Sequence, residues 1–196
     1  MFVIVGLGNP GNEYKTTRHN AGRSLVLLLA ETAELPEFRT DAKANGEVTL
    51  GTVGSKKVTL LIPNTFMNKS GSAVARYVKS VKAAKELIVV HDDIDLPLGT
   101  LRVSFGRGDG GHNGVASVMR AIKTKDFIRV RVGVSHQSAK GAAKKPSGEE
   151  KILKFLLGKF TPAEHKELSG PLAKRFVALI ETAVAEGYAM AMNRFN

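Results

Sequence analysis

Cysteine is absent from this chain of 196 residues, and that absence excludes several kinds of chemistry. Disulfide bonds, thiolate nucleophiles and zinc sites built on thiolates all need cysteine. Tryptophan is also absent, and aromatic residues make up only 6% of the chain. The sequence G-x-S-x-G, which carries the nucleophilic serine of many esterases, does not occur either. Covalent acyl transfer therefore has no candidate nucleophile here.

Long hydrophobic runs are missing as well. The densest apolar stretch, residues 25–30, is far shorter than the roughly 20 residues that cross a membrane. The first residues lack the basic segment of a signal peptide and reach Gly6 too early. We therefore expect a soluble cytoplasmic protein with no membrane partner. Neither an internal repeat nor a linker divides the chain, so we expect a single domain over residues 1–196 with a sizeable core.

Positive charge is in excess. Lysine and arginine number 29 against 18 aspartates and glutamates, which gives a formal net charge of +11. A chain this basic is attracted to polyanions, and nucleic acid is one candidate partner. Many solvated proteins are equally basic, so charge alone leaves both interpretations open.

Predicted strands and helices alternate along the chain. Apolar and β-branched runs predict strands over 2–5, 47–53, 57–62, 86–90, 100–105 and 127–135. Helical periodicity appears over 24–32, 70–81 and 115–123, and two helical stretches close the chain, the second over 171–192. Residues 137–150 are rich in Lys, Gly, Ser and Ala and predict a mobile basic loop. The pattern predicts the α/β class, as an α/β/α sandwich around a mixed, mostly parallel twisted sheet.

The first strand opens into GLGNPG, which contains the spacing G-x-G-x-x-G. A dinucleotide site needs a helix to begin at these glycines, so that its N-terminus faces the pyrophosphate. Here Pro10 and a polar stretch delay the apolar periodicity until about Leu25. We therefore do not expect a dinucleotide cofactor. The loop is either a plain turn or a place where backbone approaches a ligand beyond the end of a strand.

Polar residues follow several predicted strands, and this repeated placement is the main functional signal. If the strand ends point the same way, one cleft collects five candidates: Asn9, His19, Asn68, Asp92 and Asn113. A histidine can deprotonate water, a carboxylate on its other ring nitrogen can hold its tautomer, and amides can bind a carbonyl or an oxyanion. The set predicts hydrolysis by an activated water.

The sequence leaves two alternative functions open. One alternative is a metal site, formed by the three closely spaced carboxylates of Asp92, Asp93 and Asp95. Carboxylates bind Mg²⁺ or Mn²⁺, and such a site would suit a metal-dependent RNA phosphodiesterase. Charge alone would also suit an RNA-binding module without catalysis. Each residue has an ordinary structural interpretation too: His19 as a core or cap histidine, Asp92 as a turn residue, and Asn68 as a helix cap.

Four motifs resemble one known family. GLGNPGNEYKTTRHNAG, PNTFMNKSG, VVHDDIDLPLG and GGHNG, in this order and spacing, closely resemble the bacterial peptidyl-tRNA hydrolases, and the resemblance runs over nearly the whole chain. It implies a monomeric α/β sandwich that hydrolyses the ester between a peptide and the terminal ribose of tRNA. It implies neither a metal nor another cofactor.

The resemblance also implies roles for individual residues. His19 is expected to be the general base and Asp92 its carboxylate partner. Asn9 and Asn68 are expected to hold the peptide beside the ester, and Asn113 to place the water or the intermediate. Further residues are expected to contact the substrate or its tRNA: Tyr14, Phe66, Met67, Gly111, His112, Arg102 and Arg131.

This chain departs from the family pattern in two places. Where members of the family carry Gly-Gly-Gly-His before GGHNG, this chain has Gly106, Arg107, Gly108 and Asp109. The basic loop with Lys140, Lys144 and Lys145 is also longer than usual. It is either an additional contact to phosphate or a solvated segment, and the sequence favours the second interpretation.

Overall fold

The computed structural model describes residues 1–139 and 141–196. Lys140, which belongs to the predicted basic loop, lies outside the described residues. The strands are β1 (Phe2–Gly6), β2 (Arg39–Asp41), β3 (Gly46–Val53), β4 (Lys56–Pro63), β5 (Leu87–Pro97), β6 (Leu101–Phe105), β7 (Ile128–Gln137) and β8 (Ala143–Lys144). The helices are α1 (Ala21–Thr32), α2 (Ser70–Tyr77), α3 (Val81–Ala84), α4 (Asn113–Ile122), α5 (Glu149–Leu156), α6 (Pro162–Glu167), α7 (Ala173–Glu186) and α8 (Tyr188–Phe195).

The sheet is mixed, with parallel strands at its centre. Its strand order is β2-β3-β4-β1-β5-β7-β6, and β8 pairs with the end of β7. Strand β1 is parallel to β4 and β5, and β5 is parallel to β7, whereas β3 and β6 run antiparallel to their neighbours. The carboxyl ends of β4, β1, β5 and β7 therefore meet at one edge of the sheet, where open α/β sheets bind their ligands.

Helices cover both faces of the sheet. One buried cluster joins the sheet to α1, α7 and α8, and includes Leu25, Phe176 and Ile180. The other joins it to α2 and α4, and includes Val74 and Val118. The two layers confirm the predicted α/β/α sandwich. None of the helices within residues 1–139 and 141–196 combines the length and apolar character that crossing a membrane requires.

Helix α1 begins earlier than predicted, because its first turn lies in the polar segment that precedes the apolar periodicity. A 3-10 turn over Arg18–Asn20 leads into the helix at Ala21 rather than at residue 24. A Cβ added at Gly22 would lie 2.2 Å from the carbonyl oxygen of Val90. The glycine lets α1 approach β5 closely, and this contact brings the turn that carries His19 onto β5.

Strand β5 is longer than predicted. The apolar run ends at Val90, but hydrogen bonding to β7 continues through Asp92 and Asp93 to Pro97 with one irregularity. Polar residues extend the strand because Asp92 is buried against other polar side chains instead of facing solvent. The aspartates therefore lie within the strand, and the prediction that the strand ends at residue 90 was wrong.

Other boundaries also differ from the predictions. The helix predicted over 70–81 ends at Tyr77, and α3 starts separately, capped by the Ser80 side chain. The last predicted helix is divided between α7 and α8 at Gly187, which has a φ of 92°. Because β6 is antiparallel, its glycine-rich loop starts at the opposite edge of the sheet and returns to the ligand edge at Asn113.

Candidate active site

A cleft of about 440 Å³ lies at the carboxyl edge of the sheet. It is formed by the loop after β1, the segment after β4, the start of α4 and one side of α5. Its lining contains most of the predicted site residues: Asn9, Tyr14, His19, Phe66, Met67, Asn68 and Asn113, together with Lys69, Leu153 and Leu157. Segments far apart in the sequence thus converge at one cleft.

His19 and Asp92 form a hydrogen-bonded pair below this cleft. The Nδ1 of His19 lies 2.9 Å from Oδ1 and 3.1 Å from Oδ2 of Asp92. An ionised carboxylate only accepts hydrogen bonds, so the proton of a neutral His19 sits on Nδ1. Its Nε2 then carries a lone pair, and the ring lines the cleft. This is the tautomer that a general base needs.

The surroundings shift both ionisation equilibria. Burial raises the pKa of the Asp92 carboxyl, but the charges of His19 and His112 and their hydrogen bonds outweigh it, so this pKa lies well below its usual range. Burial lowers the pKa of His19, but the charge of Asp92 and the hydrogen bond that His19 donates to it together raise this pKa above the ordinary value. Asp92 therefore remains ionised and favours the imidazolium form of His19.

His112 supports Asp92 from another side. Its Nε2 donates to Oδ1 of Asp92 over 2.9 Å, and its Nδ1 accepts from the backbone N–H of Gly114 and Val115 at the start of α4. Both ring nitrogens are thus occupied within the protein. The motif GGHNG predicted His112 as a substrate contact, and the structure places it beside Asp92, outside the cleft lining.

Asn9 is held in one orientation by three hydrogen bonds. Its side-chain Oδ1 accepts from the N–H of Met67 over 2.8 Å, which leaves its Nδ2 to donate elsewhere. The side chain of Asn20 accepts from the backbone N–H of Asn9 and donates to its carbonyl oxygen, over 2.9 and 3.0 Å. Asn20 is not among the predicted site residues, although it directly follows His19 in the first motif.

The other two asparagines border the cleft with their side chains exposed. Asn68 lies in a 3-10 turn over Met67–Lys69, and Asn113 is the first residue of α4. Both are exposed to solvent. The wall around them is apolar and open to solvent: Phe66 is 58% exposed and Leu153 is 51% exposed. The cleft therefore combines amide donors with open hydrophobic walls.

Arg102, Arg131 and Gly111 lie outside the cleft lining. Arg102 and Arg131 are directly opposite each other on β6 and β7, so their side chains leave the same face of the sheet. The Nε of Arg131 donates to Oδ2 of Asp93 over 2.6 Å. Gly111 is exposed, with a φ of 79°.

The three aspartates of the metal-dependent alternative do not converge on one point. Asp92 faces His19 and His112, whereas Asp93 pairs with Arg131 and Asp95 pairs with Lys145. In the described part of the chain, the one group of three potential metal ligands consists of His19, Asp92 and His112. Their ligand atoms are joined by hydrogen bonds within that group, so the geometry does not favour the phosphodiesterase.

Arg18 connects the turn that carries His19 to the C-terminal segment. Its guanidinium donates to both carboxylate oxygens of Glu164 and to the carbonyl oxygen of Lys159, over 2.8 to 2.9 Å. It also stacks 4.6 Å from the centre of the Phe155 ring on α5. The residue before His19 thus anchors the helix that forms one wall of the cleft.

Comparisons with known proteins agree with this architecture. The family model for peptidyl-tRNA hydrolase matches residues 3–196. The chain is 37% identical over 197 residues to a peptidyl-tRNA hydrolase of Syntrophotalea carbinolica, covering 100% of this chain and 97% of that protein. It is 39% identical over 198 residues to one from Chloroflexus aggregans, covering 100% and 99%.

Solved structures give the same result. The crystal structure of peptidyl-tRNA hydrolase from Acinetobacter baumannii aligns with a TM-score of 0.87 at 34% identity, covering 100% of this chain and 94% of that one. The match spans the sheet, both helical layers and the loops that form the cleft. On this sequence and structural similarity over its full length, the chain belongs to the peptidyl-tRNA hydrolase family.

Proposed function

We propose that this protein hydrolyses the ester bond between a peptide, or an N-blocked amino acid, and the 3′-terminal ribose of tRNA. The observation that carries the proposal is the His19–Asp92 pair, 2.9 Å apart, at the base of a cleft bordered by Asn9, Asn68 and Asn113. Membership of the family supports it independently.

The reaction needs one base and no protein nucleophile. Nε2 of His19 takes a proton from a water molecule, and the water oxygen attacks the ester carbonyl carbon. Asp92 stabilises the imidazolium that forms. As the bond between the carbonyl carbon and the ribose oxygen breaks, the imidazolium returns its proton to that oxygen. The products are a peptide carboxylic acid and tRNA with a free hydroxyl, and neutral His19 is regenerated.

The asparagine amides supply both transition-state stabilisation and selectivity. Asn113 donates to the developing oxyanion or positions the water, and Asn9 and Asn68 bind the peptide carbonyl next to the ester. Free aminoacyl-tRNA lacks that carbonyl and carries a charged amine there. Its binding would leave desolvated amides unpaired, at a cost of about 1–3 kcal/mol for each. Tyr14, Phe66 and Met67 form the apolar wall for the terminal nucleoside and the first peptide residue.

Charge accounts for recognition of the tRNA backbone. The net charge of +11 attracts phosphates of any sequence. Arg102 and Arg131, on one face of β6 and β7, are the proposed direct phosphate contacts, together with Gly111 in the loop that follows β6. A single chain supplies all the groups that the mechanism uses, so we propose that the protein acts as a monomer. We also propose that it acts in the cytoplasm.

Release of free tRNA tests the proposal. N-acetyl-aminoacyl-tRNA and the same aminoacyl-tRNA with a free amine are incubated separately with the enzyme, with and without excess chelator. We expect the N-acetylated ester to be cleaved at least roughly tenfold faster, as one unpaired amide predicts, and chelator to leave the rate unchanged. Equal rates would reject the asparagine roles. Loss of activity with chelator would restore the metal-dependent alternative.

A further inference from the structure

The lining of the cleft has an uneven distribution of charge, and the mechanism above makes no use of it. Among the described residues that form this lining, Lys69 is the one side chain with a permanent charge, and none carries a carboxylate. The other lining groups are asparagine amides, Tyr14, His19 and apolar side chains. His19 is neutral in the form that accepts a proton. The lining therefore carries a positive charge beside the proposed peptide site.

Lys69 is fixed to the cleft through its backbone, and its ammonium group has no ionic partner in the described part of the chain. It ends the 3-10 turn over Met67–Lys69, and its backbone N–H donates to the carbonyl oxygen of Phe66 over 2.8 Å. The side chain is exposed, and no carboxylate oxygen of a described residue lies within 4.0 Å of its ammonium nitrogen. Asn68, which we assign to the peptide carbonyl, directly precedes it on the same lining.

Other charged groups near the cleft lie outside its lining. Asp92 is only 2% exposed, and its carboxylate is paired with the two histidines beside it. Lys151 and Lys154 of α5 line a separate depression. The segment 137–150, predicted as a mobile loop, contains β8 and the start of this helix. Lys69 is thus the charge to which a group bound in the cleft is exposed.

The substrates that the enzyme has to distinguish differ in charge as well as in hydrogen bonding. In a peptidyl or N-acetyl ester, the nitrogen next to the ester is an uncharged amide. In a free aminoacyl ester it is an amine, which carries a positive charge when protonated. Two unit charges of the same sign about 4 Å apart repel each other even in water. The amides select for the peptide carbonyl, and a fixed positive charge adds selection against the ammonium.

We propose that Lys69 is a specificity-determining residue, which repels the protonated amine of free aminoacyl-tRNA. This inference rests on the proposed function, because it takes an ester bound beside His19 as its starting point. Selectivity then has two parts: the asparagines bind the peptide carbonyl, and Lys69 disfavours a positive charge at the position of the peptide nitrogen. The N-terminus of α2, which begins at Ser70, adds a partial positive charge on the same side.

The test uses three esters of the same tRNA that separate charge from hydrogen bonding. The N-acetyl-aminoacyl ester has the peptide carbonyl, the aminoacyl ester has a charged amine, and the α-hydroxyacyl ester has an uncharged hydroxyl in place of that amine. The readout is the kcat/KM for the hydroxyacyl ester divided by the kcat/KM for the aminoacyl ester. It is measured at about pH 6.5, where an α-amine is mostly protonated. Since neither ester has the peptide carbonyl, the ratio reports the effect of charge.

Four variants separate the charge of Lys69 from its other properties. Lys69→Gln removes the charge, Lys69→Glu reverses it, and Lys69→Arg keeps it. Lys57→Gln is the matched control, because it removes the same charge from an exposed lysine at the opposite end of β4. Six residues of extended strand place that lysine roughly 20 Å from the end of β4 that leads into the cleft.

We expect the ratio to fall roughly fivefold in Lys69→Gln, which corresponds to two unit charges about 4 Å apart in water, and to fall further in Lys69→Glu. Lys69→Arg and Lys57→Gln should keep the wild-type ratio. Salt should lower the wild-type ratio, since the Debye length falls from about 10 Å at 0.1 M to about 3 Å at 1 M. The same salt should have a smaller effect on the ratio of Lys69→Gln.

An unchanged ratio in Lys69→Gln, or an equal fall in Lys57→Gln, would overturn the proposal. So would a fall in the rates of all three esters by one common factor in Lys69→Gln, because Lys69 would then contact a part of the tRNA that the esters share. Failure of the wild type to hydrolyse the N-acetyl ester would instead contradict the proposed function. The two failures are therefore distinguishable.

Discussion

Replacing Asp92 with asparagine removes one charge from the proposed active site and keeps its shape. Oδ1 of Asp92 accepts from both His19 and His112 over 2.9 Å, and the amide oxygen of asparagine can accept both bonds at the same place. At an effective dielectric constant of about 20, two unit charges about 4 Å apart attract each other by about 4 kcal/mol. The imidazolium formed at His19 loses that stabilisation, so kcat/KM should fall roughly a thousandfold.

The pH dependence of the same variant is a second, independent readout. In the wild type, His19 must be neutral to accept a proton, so kcat/KM rises with pH through a pKa that Asp92 holds above the ordinary value. Without the charge, burial lowers this pKa, and the acid limb should move to lower pH while the plateau drops. The assay is hydrolysis of N-acetyl-aminoacyl-tRNA between pH 5 and 9, with tRNA affinity and unfolding midpoint measured as controls. A loss of less than about tenfold, well short of what 4 kcal/mol implies, or an acid limb that does not move, would refute the reasoning.

Four further predictions concern residues around the site. Asn20→Ala removes both bonds to the Asn9 backbone without adding a charge beside His19, so kcat/KM should fall roughly 10–100-fold with the acid limb unmoved; a rate equal to wild type would contradict the positioning role. Gly22→Ala should destabilise the fold by about 1–3 kcal/mol in urea unfolding, whereas Gly170→Ala, which has open space around its Cβ, should not. Glu164→Gln leaves Arg18 buried without its carboxylate partner and should lower the free energy of unfolding by about 3 kcal/mol. Because the pKa of Glu164 is lowered in the fold, the stability that this pair gives the wild type should be lost as the pH falls below the ordinary glutamate range. Arg131→Ala should lower the salt slope of tRNA binding by about 1, and an unchanged slope would place its phosphate contact elsewhere.

The fold class was predictable because periodicity and alternation report burial directly. The strands β1 and β4 and the helix α4 lie within two residues of their predicted bounds. The predicted boundaries of strands and helices were wrong where polar residues are buried. Strand β5 continues through Asp92 because the two histidines satisfy its carboxylate, and hydropathy carries no information about such partners. The early start of α1 depends on Gly22 approaching β5, which is a tertiary contact.

The residues of the cleft were predictable from motifs that each follow a strand or begin a helix. Their hydrogen-bond partners were less accessible. Asn20 acts on the backbone of Asn9, and the order of residues in the chain does not reveal that contact. The bond from His112 to Asp92 depends on the loop after β6 returning to the carboxyl edge. The pairing of Arg18 with Glu164 joins residues 146 positions apart.

Replacement of His19 by alanine tests the central claim most directly. Single-turnover hydrolysis of N-acetyl-aminoacyl-tRNA is measured with enzyme in excess, together with the equilibrium affinity for deacylated tRNA. We expect ester cleavage to fall to the level of the uncatalysed reaction while the tRNA affinity stays within about twofold, a smaller change in binding free energy than the loss of one hydrogen bond. Cleavage at a rate close to wild type would contradict the claim that His19, held by Asp92, activates the water.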